Sequence, residues 1–116
     1  MSRRRSVAAA QLADAAPVFA ALGDPTRLKL VSRLCGEGPL SIARLSDGAG
    51  VTRQAVTKHL ESLANAGLVQ DTWQGRDRIF SLDTARLEKA RRTLDAIADH
   101  WDATLDRLRA FVEEDR

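Results

Sequence analysis

A chain of 116 residues is long enough for one domain with a core, and short enough that a second copy would help to cover a thin fold. Hydrophobic residues make up 44% of it, which excludes a chain disordered throughout, and no apolar run reaches the ~20 residues that a membrane span needs. Net charge is only +2, but residues 1–82 hold 11 Lys/Arg against 7 Asp/Glu while residues 83–116 hold 7 against 9, so a basic front precedes a mildly acidic back.

That imbalance suits a protein whose first two-thirds faces phosphate, and it is also no more than an ordinary solvated surface can carry. Arg3, Arg4 and Arg5 open residues 1–7, expected to be a disordered basic arm that either touches DNA phosphates or is simply solvated. A single domain is expected over 8–116. The basic start followed by apolar residues has the outline of an export signal. Gln11, Asp14 and Pro17 interrupt it, however, and Leu12, Ala16, Phe19 and Leu22 fall at helical spacing, so a structural helix is expected over 8–22. Its many alanines would let another helix approach closely.

Asp24 is an N-cap and Pro25 occupies the first helical position, where a missing amide costs nothing. The helix is expected to run to about Cys35, with Leu28, Val31 and Cys35 on one apolar face and Leu30 and Leu34 beside them. Gly36, Gly38 and Pro39 close it. Cys35 therefore reads as a small core residue, with a redox or metal role as the alternative. As the one cysteine in the chain it excludes an intrachain disulfide and fits a reducing cytoplasm.

Residues 41–47 form a short amphipathic segment and Gly48-Ala49-Gly50 a turn. Thr52 then caps a helix expected over 52–66. Val56, Leu60 and Leu63 share one face of it, and Gly67 sits where a left-handed residue ends a helix. The other face is Arg53, Gln54, Thr57, Lys58 and Glu61. Arg and Gln in a first turn are the side chains that read guanine and adenine edges, and Lys and Thr suit phosphates. Helix, glycine turn and polar-faced helix make a helix-turn-helix with 52–66 as the recognition helix. Ser41 and Thr52 count among the candidate DNA contacts. So does His59, which lies between the two faces and could donate to a phosphate or to a neighbouring carbonyl.

Leu68–Trp73 and Arg78–Leu82 flank Gln74-Gly75-Arg76-Asp77, the pattern of a β-hairpin with a polar tip. Beside a helix-turn-helix this is a wing, 68–82, in which Gln74, Arg76 and Arg78 would meet the backbone or minor groove; a plain hairpin with charged ends is the other reading. From Thr84 to about Glu113 one helix of roughly 45 Å follows. Leu87, Leu94, Trp101 and Leu108 recur every seven residues along it. Ala90, Ile97 and Phe111 add a second line, and Ala98, Leu105 and Val112 widen the stripe. So long a stripe calls for a second copy. The expected homodimer seam comprises Leu12, Phe19, Leu87, Leu94, Ile97, Trp101, Leu105 and Leu108, with the first helix alongside the last.

Three stretches in order resemble the ArsR/SmtB winged-helix repressors: Phe19-Ala20-Ala21-Leu22-Gly23-Asp24-Pro25-Thr26-Arg27-Leu28, then Val56-Thr57-Lys58-His59-Leu60 through Ala66-Gly67-Leu68-Val69, then Gly75-Arg76 leading to Phe80-Ser81-Leu82. The likeness spans about residues 18–83. It implies a mainly α fold with a β wing, in the order α1-α2-α3-α4-β1-β2-α5. It also implies a dimer through the first and last helices and repression by binding an imperfect palindrome in double-stranded DNA over a promoter.

Metal-sensing members carry a Cys-x-Cys in the helix before the turn, where this chain has Leu40-Ser41-Ile42-Ala43-Arg44-Leu45. Others bind zinc between the last helices through Asp-x-His on one subunit and His and Glu on the other, where this chain has only His100, next to Asp99. The resemblance is therefore to a branch without metal or other cofactor. Zinc is expected to leave DNA affinity unchanged. Asp95, Asp99, Asp102 and Asp106 form an acidic stripe beside His100 that reads as a solvated face, with an interfacial cation site as the alternative. Two other classes compete: a winged-helix protein-interaction module, and an enzyme. The Arg53, Gln54 and Lys58 face and the wing arginines argue against the first, and the lack of a phosphate loop, ligand set or nucleophile elbow against the second.

Overall fold

The computed structural model describes residues 7–114, so the basic arm lies almost wholly outside the described residues. Its elements in order are α1 (Ala9–Leu22), α2 (Pro25–Glu37), β1 (Leu40–Ser41), α3 (Ile42–Ser46), α4 (Arg53–Asn65), β2 (Val69–Gln74), β3 (Asp77–Leu82) and α5 (Thr84–Glu114). Short local signals set most of the boundaries. Asp24 Oδ2 accepts from the Arg27 amide at 3.0 Å, Ser41 Oγ from Arg44 at 3.1 Å and Thr52 Oγ1 from Ala55 at 3.1 Å. Each satisfies an amide that a helix start leaves without an intrahelical partner. Gly67, at φ 79°, ends α4. The Leu68 amide donates to Leu63 O and the Gly67 amide to Ala64 O, both at 2.9 Å, which is the paired closure of a Schellman turn.

Val56, Leu60 and Leu63 of α4 are fully buried, together with Leu45 of α3, Leu68, and Phe80 of β3. That cluster is the centre of the core. From α2 it takes Leu30, Val31 and Leu34. The expected face of Leu28, Val31 and Cys35 is corrected here: Leu28 is 53% exposed and Cys35 is also exposed. Two apolar stripes overlap at Val31, and the packing of α4 and β3 against α2 turns Leu30 and Leu34 inward. Cys35 is thus a surface thiol, not a core residue.

The wing is a three-stranded antiparallel sheet in the order β1-β3-β2. The sequence pattern predicts only two strands. The third, β1, pairs Leu40 with Phe80 and Ser41 with Ile79. At two residues it has no periodicity of its own and exists because β3 offers an edge. The hairpin closes around Gly75-Arg76, with Gln74 opposite Asp77. Gly75 alone takes a positive φ, 63°, as a type II′ turn requires at its first central residue.

In α1 Ala15, Val18 and Ala21 face the body of the protein, while Leu12 and Phe19 face away and are exposed. In α5 only Ala90 and Thr93 are buried, and Leu87 is half-buried against the core. Past Thr93 no described residue of α5 is buried, although Leu94, Ile97, Trp101 and Leu108 continue the apolar stripe. Leu105 is half-buried and Trp101 is 60% exposed. The long helix makes the molecule 68 Å in its greatest dimension against 28 and 20 Å in the others.

Candidate nucleic-acid interface

The N-terminal turn of α4, the start of α3 and the wing tip enclose a cleft of about 330 Å³. Ser41, Arg53, Thr57, Arg76 and Arg78, all candidates from the sequence, line it together with Ile42, Ala43, Trp73 and Asp77. Gln54, Lys58 and Gln74 are exposed but do not line it. Elements far apart in the chain thus present Arg53 and Arg76 to the same space.

The hydroxyls differ in what they can offer. Ser41 and Thr52 use a lone pair of oxygen to cap α3 and α4, which leaves their protons available to donate to a phosphate. Thr57 Oγ1 donates to Arg53 O at 3.0 Å, so its proton is committed to the helix and it faces the cleft mainly as a methyl and an acceptor. Arg78 is also committed: its Nε donates to Asp71 Oδ2 at 2.7 Å and its guanidinium lies 5.0 Å over the Phe80 ring. The Asp71 carboxylate offsets the Arg78 charge, so Arg76 is the principal cation of the tip.

His59 is not brought to the cleft. Its Nδ1 lies 3.3 Å from Arg27 Nη1 and 3.9 Å from Asp24 Oδ2, while Arg27 Nε donates to Ala21 O at 2.6 Å. The trio ties α4 to the junction of α1 and α2. The hydrogen bond from the Arg27 amide holds the Asp24 carboxyl below its usual range, with the His59 and Arg27 charges assisting.

A second brace was not legible in the sequence. Arg33 Nη1 donates to Arg44 O at 2.9 Å and lies 3.4 Å from Leu45 O and 3.3 Å from Asp47 O. It thereby gathers the carbonyls where α3 ends and the turn begins. Arg33 Nε donates to Glu37 Oε2 at 3.0 Å, and that hydrogen bond keeps the Glu37 carboxyl below its ordinary value. On α5, Asp95 pairs with Arg91 at 3.1 Å and Asp106 with Arg109 at 3.2 Å. Among the described residues no three His, Cys, Asp or Glu side chains converge to hold a metal ion, and no helix is long and apolar enough to cross a membrane.

A capped helix bearing Arg, Gln and Lys, set behind a glycine turn and beside a hairpin with Arg76 at its tip, defines a winged helix-turn-helix DNA-binding regulator. Residues 22–71 match the family described as a helix-turn-helix domain. The chain is 41% identical over 75 residues to the HTH-type transcriptional regulator Rv2034 of Mycobacterium tuberculosis, a match covering 65% of this chain and 69% of that protein. It is 30% identical over 71 residues to the transcriptional repressor SdpR of Bacillus subtilis, covering 61% of this chain and 78% of the relative. An ArsR-like transcriptional regulator from Rhodococcus sp. RHA1 superposes with a TM-score of 0.71 at 37% identity, over 85% of this chain and 92% of that one. The chain belongs to the ArsR family of winged helix-turn-helix proteins, and it is a DNA-binding transcriptional regulator. These relatives are regulators rather than enzymes.

Proposed function

We propose that the protein is a dimeric repressor that lays α4 in the major groove and the wing along the neighbouring backbone and minor groove of an imperfect palindrome. The observation that carries this reading is the cleft in which Arg53 and Thr57 of α4 face Arg76 of the wing. Arg53 and Gln54 read base edges, while Lys58 and the Ser41 and Thr52 hydroxyls hold phosphates. His59 acts from behind, by holding α4 on Asp24 and Arg27. The exposed apolar side chains of α1 and α5 supply the seam for the second copy, and half-sites then lie about one DNA turn, or a simple multiple, apart. That SdpR is a repressor supports the direction of control. The donor chemistry supports control without a transition metal: α3 has no thiol, and α5 has one imidazole.

Footprinting on the DNA upstream of its own gene tests the reading. On the protected site, Arg53→Ala and Gln54→Ala should each lose about 1–3 kcal/mol at their own base positions. Lys58→Ala should weaken all sequences alike and lower the salt slope by about one. Binding of every sequence by Arg53→Ala as tightly as by the parent would refute the assignment of α4 as reader.

A further inference from the structure

The wing's inner face carries a large apolar side chain that the protein leaves uncovered. Alternation along β2 sets Val69, Asp71 and Trp73 on one side. Their register partners on β3 are Leu82, Phe80 and Arg78. Val69 and Phe80 are buried, so this is the side turned to the core. Toward the tip the face runs out past the body of the protein. Asp71 and Arg78 pair there at 2.7 Å, and Trp73, outermost, is 66% exposed. A lone exposed hydrophobic residue needs no explanation. One that lines the cleft with Arg53 and Arg76 has surroundings that specify what covers it.

With Arg78 paired to Asp71, two guanidiniums, Arg53 and Arg76, stand against the single carboxylate of Asp77, so the surroundings are net positive and select a polyanion. With α4 in the major groove and the wing tip at the adjacent minor groove, the strand that passes between them presents sugar and phosphate to the cleft. An indole fits that surface: its face packs on deoxyribose, and its single N–H can only donate, which suits a phosphate oxygen. Arg76 supplies the phosphate-facing charge, and Arg53, which reaches on to the base edges, adds a positive field on the other side. We propose that Trp73 is a DNA-contact residue whose indole closes over the deoxyribose–phosphate backbone held between α4 and the wing. The proposal rests on the groove placement given above. Because sugar and phosphate are common to all sequences, Trp73 strengthens binding to any duplex and does not choose among them. Because the indole is uncharged, it displaces no counterion.

The test uses the whole protein labelled with 5-fluorotryptophan. Of the two tryptophan resonances, the one missing from Trp73→Phe belongs to Trp73. Its fluorine shift difference between light and heavy water, a measure of water at the ring, should collapse when a mixed-sequence duplex saturates the protein. The Trp101 resonance serves as the internal reference. In parallel, Trp73→Ala should bind that duplex and the footprinted site about tenfold more weakly each. Its salt slope and unfolding temperature should stay unchanged, and Trp73→Phe should keep most of the affinity. Three results overturn the proposal alone: an unchanged solvent shift on saturated DNA, parental affinity in Trp73→Ala, or a loss confined to particular sequences. Failure of the parent protein to bind any duplex overturns the groove placement, and the proposal with it.

Discussion

Arg33→Ala removes the cation that holds the end of α3, and its cost can be worked from the contacts. α3 is five residues long, too short to persist by its own hydrogen bonds. One contact, to Arg44 O at 2.9 Å, is well formed; those to Leu45 O and Asp47 O, at 3.4 and 3.3 Å, are long and share the same nitrogen. A hydrogen bond from a charged donor contributes about 1.5–3 kcal/mol when buried. With the Arg33 side chain 30% exposed, solvent screening brings this to about 1–2 kcal/mol. In a domain of this size that lowers the unfolding temperature by about 5–10 °C. Thermal unfolding measures the total, and amide hydrogen exchange across residues 45–49 locates it, since protection there should fall more than in α4. Arg33→Lys should recover part of the loss, because an ammonium keeps the charge but not the fork. DNA affinity should drop with an unchanged salt slope, since the guanidinium faces carbonyls and not phosphate. Unaltered exchange at the turn, or a slope lowered by about one, would refute this account.

Gly67→Ala should destabilise by about 1–2 kcal/mol, because alanine resists a φ of 79° and its Cβ would also come within 2.9 Å of the Arg86 side chain, which can move aside; a denaturant midpoint equal to the parent's would contradict it. Leu94→Asp or Trp101→Asp places a charge in the proposed seam and should convert dimer to monomer at a cost of several kcal/mol, read by sedimentation, while a parent that sediments as a monomer would remove the seam itself. The depressed Asp24 carboxyl contributes stability that is complete above the ordinary value of 3.8 and is lost as pH falls through its lower folded value. Asp24→Asn keeps an acceptor for the Arg27 amide but cannot titrate, so it should flatten the acid limb of the stability profile; an unchanged limb would assign the acid sensitivity to other carboxylates.

Features that depend only on neighbours along the chain were legible without the structure. A cap needs only a side chain and an amide three residues on, as at Asp24, Ser41 and Thr52. The glycine that ends α4, the glycine turn and the hairpin tip follow from backbone geometry that few residues adopt. That is why the helices, the capped polar-faced α4 and the β2–β3 hairpin could be read directly. Which face each element turns inward, and which distant side chains meet, depends on packing between elements. Periodicity shows that α2 has an apolar stripe, but the choice of Leu30 and Leu34 over Leu28 and Cys35 belonged to the α4 and β3 packed against it. β1 is a strand only because β3 left an edge for it. Arg27 with His59, and Arg33 with the end of α3, join groups 32 and 11 residues apart in the chain. Trp73 reads as one more strand residue until the register puts it on the inner face of the wing, beyond the reach of the core and beside Arg53.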